Sequence, residues 1–183
     1  MNHRDGSGWA DWRRDYTHGA VVIQPPADIS AILDPIRARL DPTSAERIGA
    51  HITVTPPFTR APTPADEARL GSVVGSMPLI RLELGQPRRF GGSTVIYLPV
   101  MDPTPVLSLR EALLATDLFR LDLPHTTDFV PHLTLSEFGT TPDAAMRTAI
   151  PESATRAFDV GEVAWVTPNQ EFTFAVRRTF RFA

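Results

Sequence analysis

The chain has 183 residues, of which 42% are hydrophobic and 21% are charged, a composition typical of an ordered globular protein. A net charge of −3 argues against a protein that coats nucleic acid by bulk electrostatic attraction. The chain has no cysteine and no lysine, which excludes disulfides, thiolate metal sites, cysteine nucleophiles, Schiff bases and the lysine of a phosphate-binding loop.

The N-terminal segment MNHRDGSGWADWRRD carries acids and has no apolar centre, so it does not have the pattern of a secretory signal. We expect residues 1–15 to form a flexible tail, in which Trp9 and Trp12 could dock on the rest of the chain. No apolar run approaches the roughly 20 residues that span a bilayer. These features predict a cytoplasmic protein with no membrane partner and no obligate protein partner.

From residue 16 onward, short apolar strands alternate with amphipathic helices. The first predicted helix covers residues 27–40 and should break or kink near Pro35, because proline lacks a donor and clashes one turn back. Three further helices should begin at Thr63-Pro64, Thr104-Pro105 and Thr141-Pro142, where a capping hydroxyl precedes proline at the first helical position. Strands are predicted at residues 20–24, 51–55, 80–84, 94–100, 132–136, 158–166 and 171–182.

The order of these elements repeats. Each half reads strand, helix, histidine-containing strand, Thr-Pro helix and strand. The offset from Thr63 to Thr141 is 78 residues, and that from His51 to His132 is 81 residues. Two independent landmarks with similar offsets indicate a duplicated unit. The chain is therefore predicted to be a single domain over residues 16–183, with one lobe at about 16–90, another at about 91–183, and terminal strands that can exchange between lobes.

The same pattern, histidine-apolar-threonine-apolar-threonine/serine, occurs in HITVT (51–55) and HLTLS (132–136). Side chains alternate across a strand, so the polar residues of each tract should share one face, spaced about 6.6 Å apart for residues two positions apart. The apolar residues should anchor the other face in the core. The polar sets are His51, Thr53 and Thr55 in the first tract and His132, Thr134 and Ser136 in the second.

If the two tracts face each other, two imidazoles flank a space that suits a phosphodiester. Thr53 and Thr134 can donate hydrogen bonds to the non-bridging oxygens. One of His51 and His132 can take a proton from the attacking group while the other protonates the departing oxygen, since an ordinary histidine pKa near 6.5 allows both roles.

Other interpretations remain open for these tracts. A single HxT is a weak motif, and His125-Thr126-Thr127 also matches it, in a polar turn without apolar alternation. The two histidines could be structural residues of half-buried strands. They could also ligate zinc, which usually needs three protein ligands; the further ligand would come from His18, His125, Asp128 or Glu137.

The paired tracts, together with Pro131 before the second histidine and the strand TVIYLPV, resemble the 2H phosphoesterase superfamily, in particular bacterial proteins named for 2′-5′ RNA ligase. The resemblance covers most of the chain from about residue 16. It implies a bilobal α+β fold, with two antiparallel sheets, outer helices and a central cleft. Carried over by motif, His51 and His132 would be the acid–base pair and Thr53 and Thr134 would bind phosphate.

The resemblance further implies an enzyme that hydrolyses 2′,3′-cyclic phosphates on nucleotides or RNA ends without a metal or another cofactor, and that in some members joins RNA ends through a 2′-5′ linkage. Its partner would be a nucleotide 2′,3′-cyclic phosphate or an RNA terminus. Phe58 and Tyr97 are candidates for stacking on the base. The alternative from another class is a phosphate-binding or RNA-end-binding module of the same fold that has lost turnover.

Overall fold

The structure, a computed structural model, describes residues 14–124, 126–139 and 141–183. Within these ranges nine strands form two antiparallel sheets, one of seven strands and one of two. The predicted tail, with Trp9 and Trp12, lies outside the described residues up to residue 13. The strands are β1 (Ala20–Ile23), β2 (Ile52–Thr53), β3 (Ile80–Leu82), β4 (Arg88–Arg89), β5 (Ile96–Pro99), β6 (His132–Ser136), β7 (Phe158–Val160), β8 (Glu162–Pro168) and β9 (Phe174–Arg181).

Helices connect the strands in the predicted alternation. The first is continuous across Pro35, so the predicted break is wrong. Ile29, Leu33 and Arg37 form a buried stripe at intervals of four residues. The packing of this stripe outweighs the loss of the one helical hydrogen bond that proline, which has no N–H, cannot donate. In the described part of the chain no helix is long and apolar enough to cross a membrane. The helices are α1 (Ala27–Leu40), α2 (Pro42–Ala45), α3 (Pro64–Gly75), α4 (Thr104–Leu114), α5 (Pro142–Met146) and α6 (Glu152–Thr155).

The three predicted Thr-Pro starts have different outcomes. Helix α3 has a complete capping box, in which the Thr63 hydroxyl accepts from the Asp66 N–H and the Asp66 carboxylate accepts from the Thr63 N–H. Helix α4 already includes Thr104, whose N–H donates to Asp102 Oδ1 at 3.0 Å, so the predicted threonine cap is wrong there. Thr141 precedes α5 as predicted, but its side chain makes no capping bond to any described residue.

The strand order of the large sheet, β4-β5-β6-β2-β1-β8-β9, reflects the predicted duplication. The two histidine strands, β2 and β6, are neighbours at its centre. The first strand of each repeat, β1 or β5, lies immediately outside them, and the last strands, β3 and β7, pair with each other in the second sheet. The first strand and the histidine strand of each repeat therefore occupy corresponding positions on the two sides of the boundary between β2 and β6. The α+β fold with two antiparallel sheets is confirmed, while the lobe boundary near residue 90 stays a prediction.

One face of the central strands is anchored in the core. A row of side chains made by Leu98, Leu133, Ile52 and Ile23 crosses four neighbouring strands, and each of the four is fully buried. Full burial of such an aliphatic side chain contributes about 1.5–3 kcal/mol. This row holds the strands in one register, and by alternation it leaves their opposite face for polar residues.

Candidate active site

The two histidine tracts lie side by side in one sheet, whereas the sequence interpretation places them facing each other across a space. Ile52 of β2 is directly opposite Leu133 of β6 in an antiparallel pair. Both side chains are fully buried on the core face. A slip of one residue would turn every side chain of a strand to the wrong face, so this buried pair specifies which residues of the two tracts meet on the other face.

Continuing this register by one residue places His51 opposite Thr134 and Thr53 opposite His132. Side chains that are directly opposite share a face, and diagonal neighbours lie about 7–8 Å apart. The imidazoles therefore occupy one diagonal of a four-residue cluster and the threonine hydroxyls occupy the other. All four side chains are partly exposed. The structure thus brings together the four residues that the sequence singled out for acid–base work and phosphate binding.

Both imidazoles are held in the same way. His51 Nδ1 lies 2.8 Å from the Gly49 carbonyl oxygen, and His132 Nδ1 lies 2.6 Å from the Val130 carbonyl oxygen. A carbonyl only accepts, so Nδ1 carries the proton in each ring. In each neutral histidine Nε2 is then the nitrogen that can take up a proton. The acceptor is two residues before the histidine in both cases, which repeats the duplication at atomic detail.

The surroundings lower the pKa of both histidines. Burial is the largest cause for His51, the Arg37 guanidinium adds to it, and His132 contributes further; together they outweigh the Gly49 carbonyl and lower the pKa of His51 from 6.5 to about 4. For His132, burial lowers the pKa and the Val130 carbonyl opposes it. Both imidazoles are therefore neutral at pH 7 before a ligand binds.

The third polar position of each tract does not reach this cluster, contrary to the predicted alternation. Thr55 is buried, and its hydroxyl oxygen accepts a hydrogen bond from the Val21 N–H at 3.0 Å. The backbone is irregular here, because the N–H groups of Val54 and Thr55 both donate to the Val21 carbonyl. Ser136 is buried as well. These two residues belong to the interior and do not line the candidate site.

Of the two stacking candidates, Phe58 lies in the core. It is 1% exposed, and its ring centroid lies 4.5 Å from that of Phe119 and 5.8 Å from that of Trp165. The ring has no exposed face to offer a nucleobase. Phe58 is therefore a core-packing residue, and the predicted stacking role is not compatible with its position.

Tyr97 lies beside the histidine cluster. It is opposite Thr134 in the β5–β6 pair, and its ring meets the His132 imidazole edge-on, with centroids 5.3 Å apart. Phe90 stacks on Tyr97 at 4.0 Å and also meets His132 edge-on at 5.0 Å. These two rings form an aromatic wall on the His132 side. Tyr97 is 9% exposed, so the more exposed Phe90 offers the outer surface of this wall.

An acidic residue of helix α1 and another directly after its end support the segments next to the histidine strands. Asp34 accepts from the Ala50 N–H at 2.6 Å, directly before His51. Asp41 is buried and accepts from the N–H groups of Glu137 and Phe138, directly after β6. Burial alone would raise the pKa of Asp41, but hydrogen bonds from Phe138, Ser44 and Glu137 outweigh burial and lower it.

Sequence reasoning missed two buried arginines that contact the same strands. The Arg37 side chain donates to the Thr134 carbonyl, and the Arg110 side chain donates to the Val54 carbonyl. A signal was present, since Arg37 follows Leu33 at the i+4 spacing of a buried helical stripe. A charged residue on such a stripe is rare unless it is paired.

The metal interpretation drew on His18, Asp128 and Glu137 as further ligands, and on His125, which lies outside the described residues. Among the residues that the structure describes, no three histidine or acidic side chains cluster closely enough to hold a metal ion.

Comparison with known proteins agrees with this architecture. Solved structures with a similar fold include E. coli LigT complexed with 3′-AMP, at 18% identity and a TM-score of 0.61, with 91% of this chain and 98% of that chain covered. E. coli LigT complexed with NADP+ aligns at 20% identity and a TM-score of 0.59, covering 92% and 99%. TT0787 of Thermus thermophilus aligns at 17% and 0.58, covering 88% and 96%. These identities show a shared fold.

A search of curated proteins finds no match to the sequence. The family profile of the 2′-5′ RNA ligase superfamily matches residues 25–171, a range that contains both histidine tracts and the helices behind them. The sequence resemblance to 2H phosphoesterases is confirmed by this match and by the LigT-like fold. The chain belongs to the 2′-5′ RNA ligase superfamily.

Proposed function

We propose that the protein is a metal-independent phosphodiesterase that hydrolyses 2′,3′-cyclic phosphate ends of nucleotides or RNA. The observation that carries the proposal is the four-residue cluster, with His51 and His132 on one diagonal and Thr53 and Thr134 on the other. Each imidazole presents Nε2 for proton transfer because Nδ1 is bound to a backbone carbonyl. E. coli LigT, which shares the fold, has been crystallised with 3′-AMP and with phosphate, which supports a nucleotide phosphate as the ligand class.

In the proposed reaction the threonine hydroxyls donate to the non-bridging oxygens of the cyclic phosphate. One histidine accepts a proton from water as the water oxygen forms its bond to phosphorus. The bond from phosphorus to one ribose oxygen breaks, and the second histidine gives its proton to that oxygen. The product is a nucleoside monophosphate with one free ribose hydroxyl. The same steps with the 5′-hydroxyl of a second RNA end in place of water would form a 5′-oxygen–phosphorus bond, break the bond from phosphorus to the 3′-oxygen and give a 2′-5′ linkage.

We assign His51 as the base and His132 as the acid. Arg37 and His132 both disfavour the protonated form of His51, and its pKa falls to about 4, so this imidazole is in the unprotonated form that a base requires at neutral pH. No neighbouring charge lowers the pKa of His132, on which only burial acts in that direction. A bound phosphate anion would raise the pKa of His132 and favour the protonated acid form.

The position of the aromatic wall supports the same assignment independently. The leaving oxygen belongs to the ribose, so the nucleoside must lie on the side of the general acid. Phe90 and Tyr97 are both in edge contact with His132, and they offer the apolar surface on which a base could stack. In the proposed reaction the nucleoside and the acid lie on the same side of the cluster.

The test is hydrolysis of the four nucleoside 2′,3′-cyclic monophosphates in EDTA, with His51→Ala and His132→Ala alongside and the product isomer identified. We expect turnover by the wild type and a loss of about 10²–10⁴-fold in each folded variant. Full activity in both variants would overturn the proposal. Tight binding of a 2′-nucleotide without any hydrolysis would instead favour the binding module, and loss of turnover in EDTA with stoichiometric zinc in the protein would favour a metal-dependent hydrolase.

A further inference from the structure

Two arginines are buried behind the histidine strands, on helices that occupy equivalent positions in the two repeats. Arg37 of α1 is 2% exposed, and Arg110 of α4 is 6% exposed. Helix α1 follows β1, and α4 follows β5, the first strand of each repeat. Burying a guanidinium is costly unless its donors are satisfied, so the partners of these two side chains indicate what they do.

Arg37 bridges the two histidine strands. Its Nε donates to the Thr134 carbonyl of β6 at 2.9 Å, and its Nη1 donates to the Ile48 carbonyl at 2.8 Å, three residues before His51. Its carboxylate contact is weak by comparison, since Nη1 lies 3.5 Å from Asp34 Oδ1. The side chain therefore connects the segment leading into the first histidine to the strand of the second.

Arg110 makes the reciprocal connection. Its Nη1 donates to the Val54 carbonyl at 2.7 Å, directly after Thr53, and its Nη2 donates to the Thr126 carbonyl at 2.9 Å, in the segment leading to His132. Its guanidinium also lies over the Phe129 ring, 4.1 Å from the centroid. Among the described residues no carboxylate forms an ion pair with it.

The two side chains follow one rule. Each arginine comes from the first helix of its own repeat, binds the segment that precedes its own histidine, and reaches across to the histidine strand of the other repeat. Burying two charged guanidinium groups against neutral carbonyl groups is a poor means of stabilising a fold. It is a good means of fixing the position of one strand relative to another, because the planar fork of arginine sets the direction of each bond.

We propose that Arg37 and Arg110 are reciprocal positioning residues that hold His51 and His132 at the separation required for proton transfer. This inference rests on the proposed function, because it concerns the same two histidines. Displacing a catalytic group by about 1 Å can cost about 10²-fold in rate. Strand pairing alone does not prevent such a displacement, since β2 is only two residues long and meets β6 through one registered pair.

The two arginines differ in their electrostatic effect on His51, and this difference can be measured separately. The charged and titratable groups that act on His51 are Arg37 of α1 and His132 of β6; Asp34 and Asp41 act on Arg37 itself. Arg110 is not among the groups that shift either histidine. Removing the charge of Arg37 should therefore raise the pKa of His51, and removing that of Arg110 should not.

The experiment compares Arg37→Gln and Arg110→Gln with a control at an exposed arginine that also donates to a backbone carbonyl, Arg69→Gln. Arg69 donates to the Thr116 carbonyl at 2.9 Å, away from both histidine strands. With folding checked by circular dichroism, we expect kcat on a 2′,3′-cyclic nucleotide to fall about 10–100-fold in the first two variants with little change in KM, and to stay at the wild-type value in the control. Wild-type kcat in folded Arg37→Gln and Arg110→Gln would overturn the inference.

Arg37→Lys keeps the charge, but a single ammonium on a flexible stem lacks the fork that reaches both carbonyls. We expect it to retain a low His51 pKa and still to lose kcat. It also replaces Arg37→Gln in the test if the neutral variant does not fold, and wild-type kcat in Arg37→Lys would then count against the positioning role.

An NMR titration of the imidazole resonances separates failure of this inference from failure of the proposed function. If the wild type hydrolyses no cyclic nucleotide, the proposed function fails, but His51 and His132 can still be observed, with assignments from His51→Gln and His132→Gln. We expect both arginine variants to shift both histidine resonances in the absence of ligand, and only Arg37→Gln to raise the pKa of His51. Unshifted histidine resonances in both variants would overturn the positioning role regardless of activity.

Discussion

The two halves of the candidate site are built alike but have different surroundings. Each histidine donates through Nδ1 to the carbonyl two residues before it, and each is followed by a threonine on the same face. Each tract also accepts a hydrogen bond from a buried arginine of the other repeat. The two halves differ in the residues that surround each histidine. His51 is acted on by the charge of Arg37, whereas His132 contacts the rings of Phe90 and Tyr97.

This comparison shows how a duplicated unit can acquire two different chemical roles. The backbone that holds the imidazoles is kept, so both side chains can transfer a proton at Nε2. A nearby positive charge disfavours the protonated form of one, and an aromatic wall places the nucleoside beside the other. The base and the acid then differ because of neighbouring residues and not because of the motif itself.

The largest expected effect is the loss of either histidine. His51→Gln and His132→Gln should each lower kcat about 10²–10⁴-fold, because each removes one proton-transfer group. The kcat of the double variant should be only slightly lower than that of the less active single variant, since the two groups act in one step. Steady-state kinetics with the folded variants checks this, and two small, additive losses would contradict the paired mechanism.

The pH dependence sharpens the assignment of the roles. For the wild type, kcat/KM should rise as pH increases through about 4, where His51 becomes neutral, and fall tenfold per pH unit above the pKa of His132, which lies below 6.5. Residual activity of His51→Gln should keep only the fall at high pH, and that of His132→Gln only the rise at low pH. The opposite pattern would exchange the acid and the base.

Removal of the threonine hydroxyls should have a smaller effect. Thr53→Val and Thr134→Val keep the shape of the side chain and delete a donor to a charged phosphate oxygen, a bond worth about 1.5–3 kcal/mol. This corresponds to about 10–150-fold in kcat/KM. Thr55→Val is the matched control, since its hydroxyl faces the interior; it should lower stability and leave kcat/KM of the folded protein unchanged. Equal losses of kcat/KM in all three variants would contradict the separation of Thr53 and Thr134, as phosphate-binding residues, from the interior residue Thr55.

The aromatic wall should contribute less still. Phe90→Leu deletes a ring whose inner face is already covered by Tyr97, so we expect about 1 kcal/mol, or about fivefold in KM, for a cyclic nucleotide. A cyclic phosphodiester that lacks a base should show no such difference between variant and wild type. An equal effect on both substrates would mean that Phe90 supports His132 and does not contact the nucleoside.

The sequence allowed the four clustered residues to be predicted because strand alternation determines which side chains share a face. The same reasoning failed at Thr55, where two N–H groups donate to one carbonyl and the alternation ends. Alternation describes a regular strand and contains no information about where the pairing becomes irregular.

The arginine contacts were beyond sequence reasoning for a different reason. Arg37 and Thr134 are 97 residues apart, and the acceptor is a backbone carbonyl, which every residue has. Only the packing of α1 behind β6 selects that carbonyl. Strand β4 was missed because Arg88–Arg89 has no apolar pattern, and its pairing with β5 defines it.

The difference between the two histidines should also affect the stability of the fold, which can be measured without any turnover. The folded-state pKa of His51 is depressed to about 4 from an unfolded value of 6.5, so the unfolded state binds more protons between these values. The free energy of unfolding should therefore fall as pH decreases from about 6.5 to 4. Part of this slope should disappear in His51→Gln, and a smaller part in His132→Gln, on whose pKa no neighbouring charge acts. Asp41 does not interfere with this measurement. Its pKa is lowered, so its own contribution to the pH dependence of stability lies below pH 3.8. Urea unfolding at each pH measures the slopes, and equal changes in the two variants would show that Arg37 does not distinguish the two histidines.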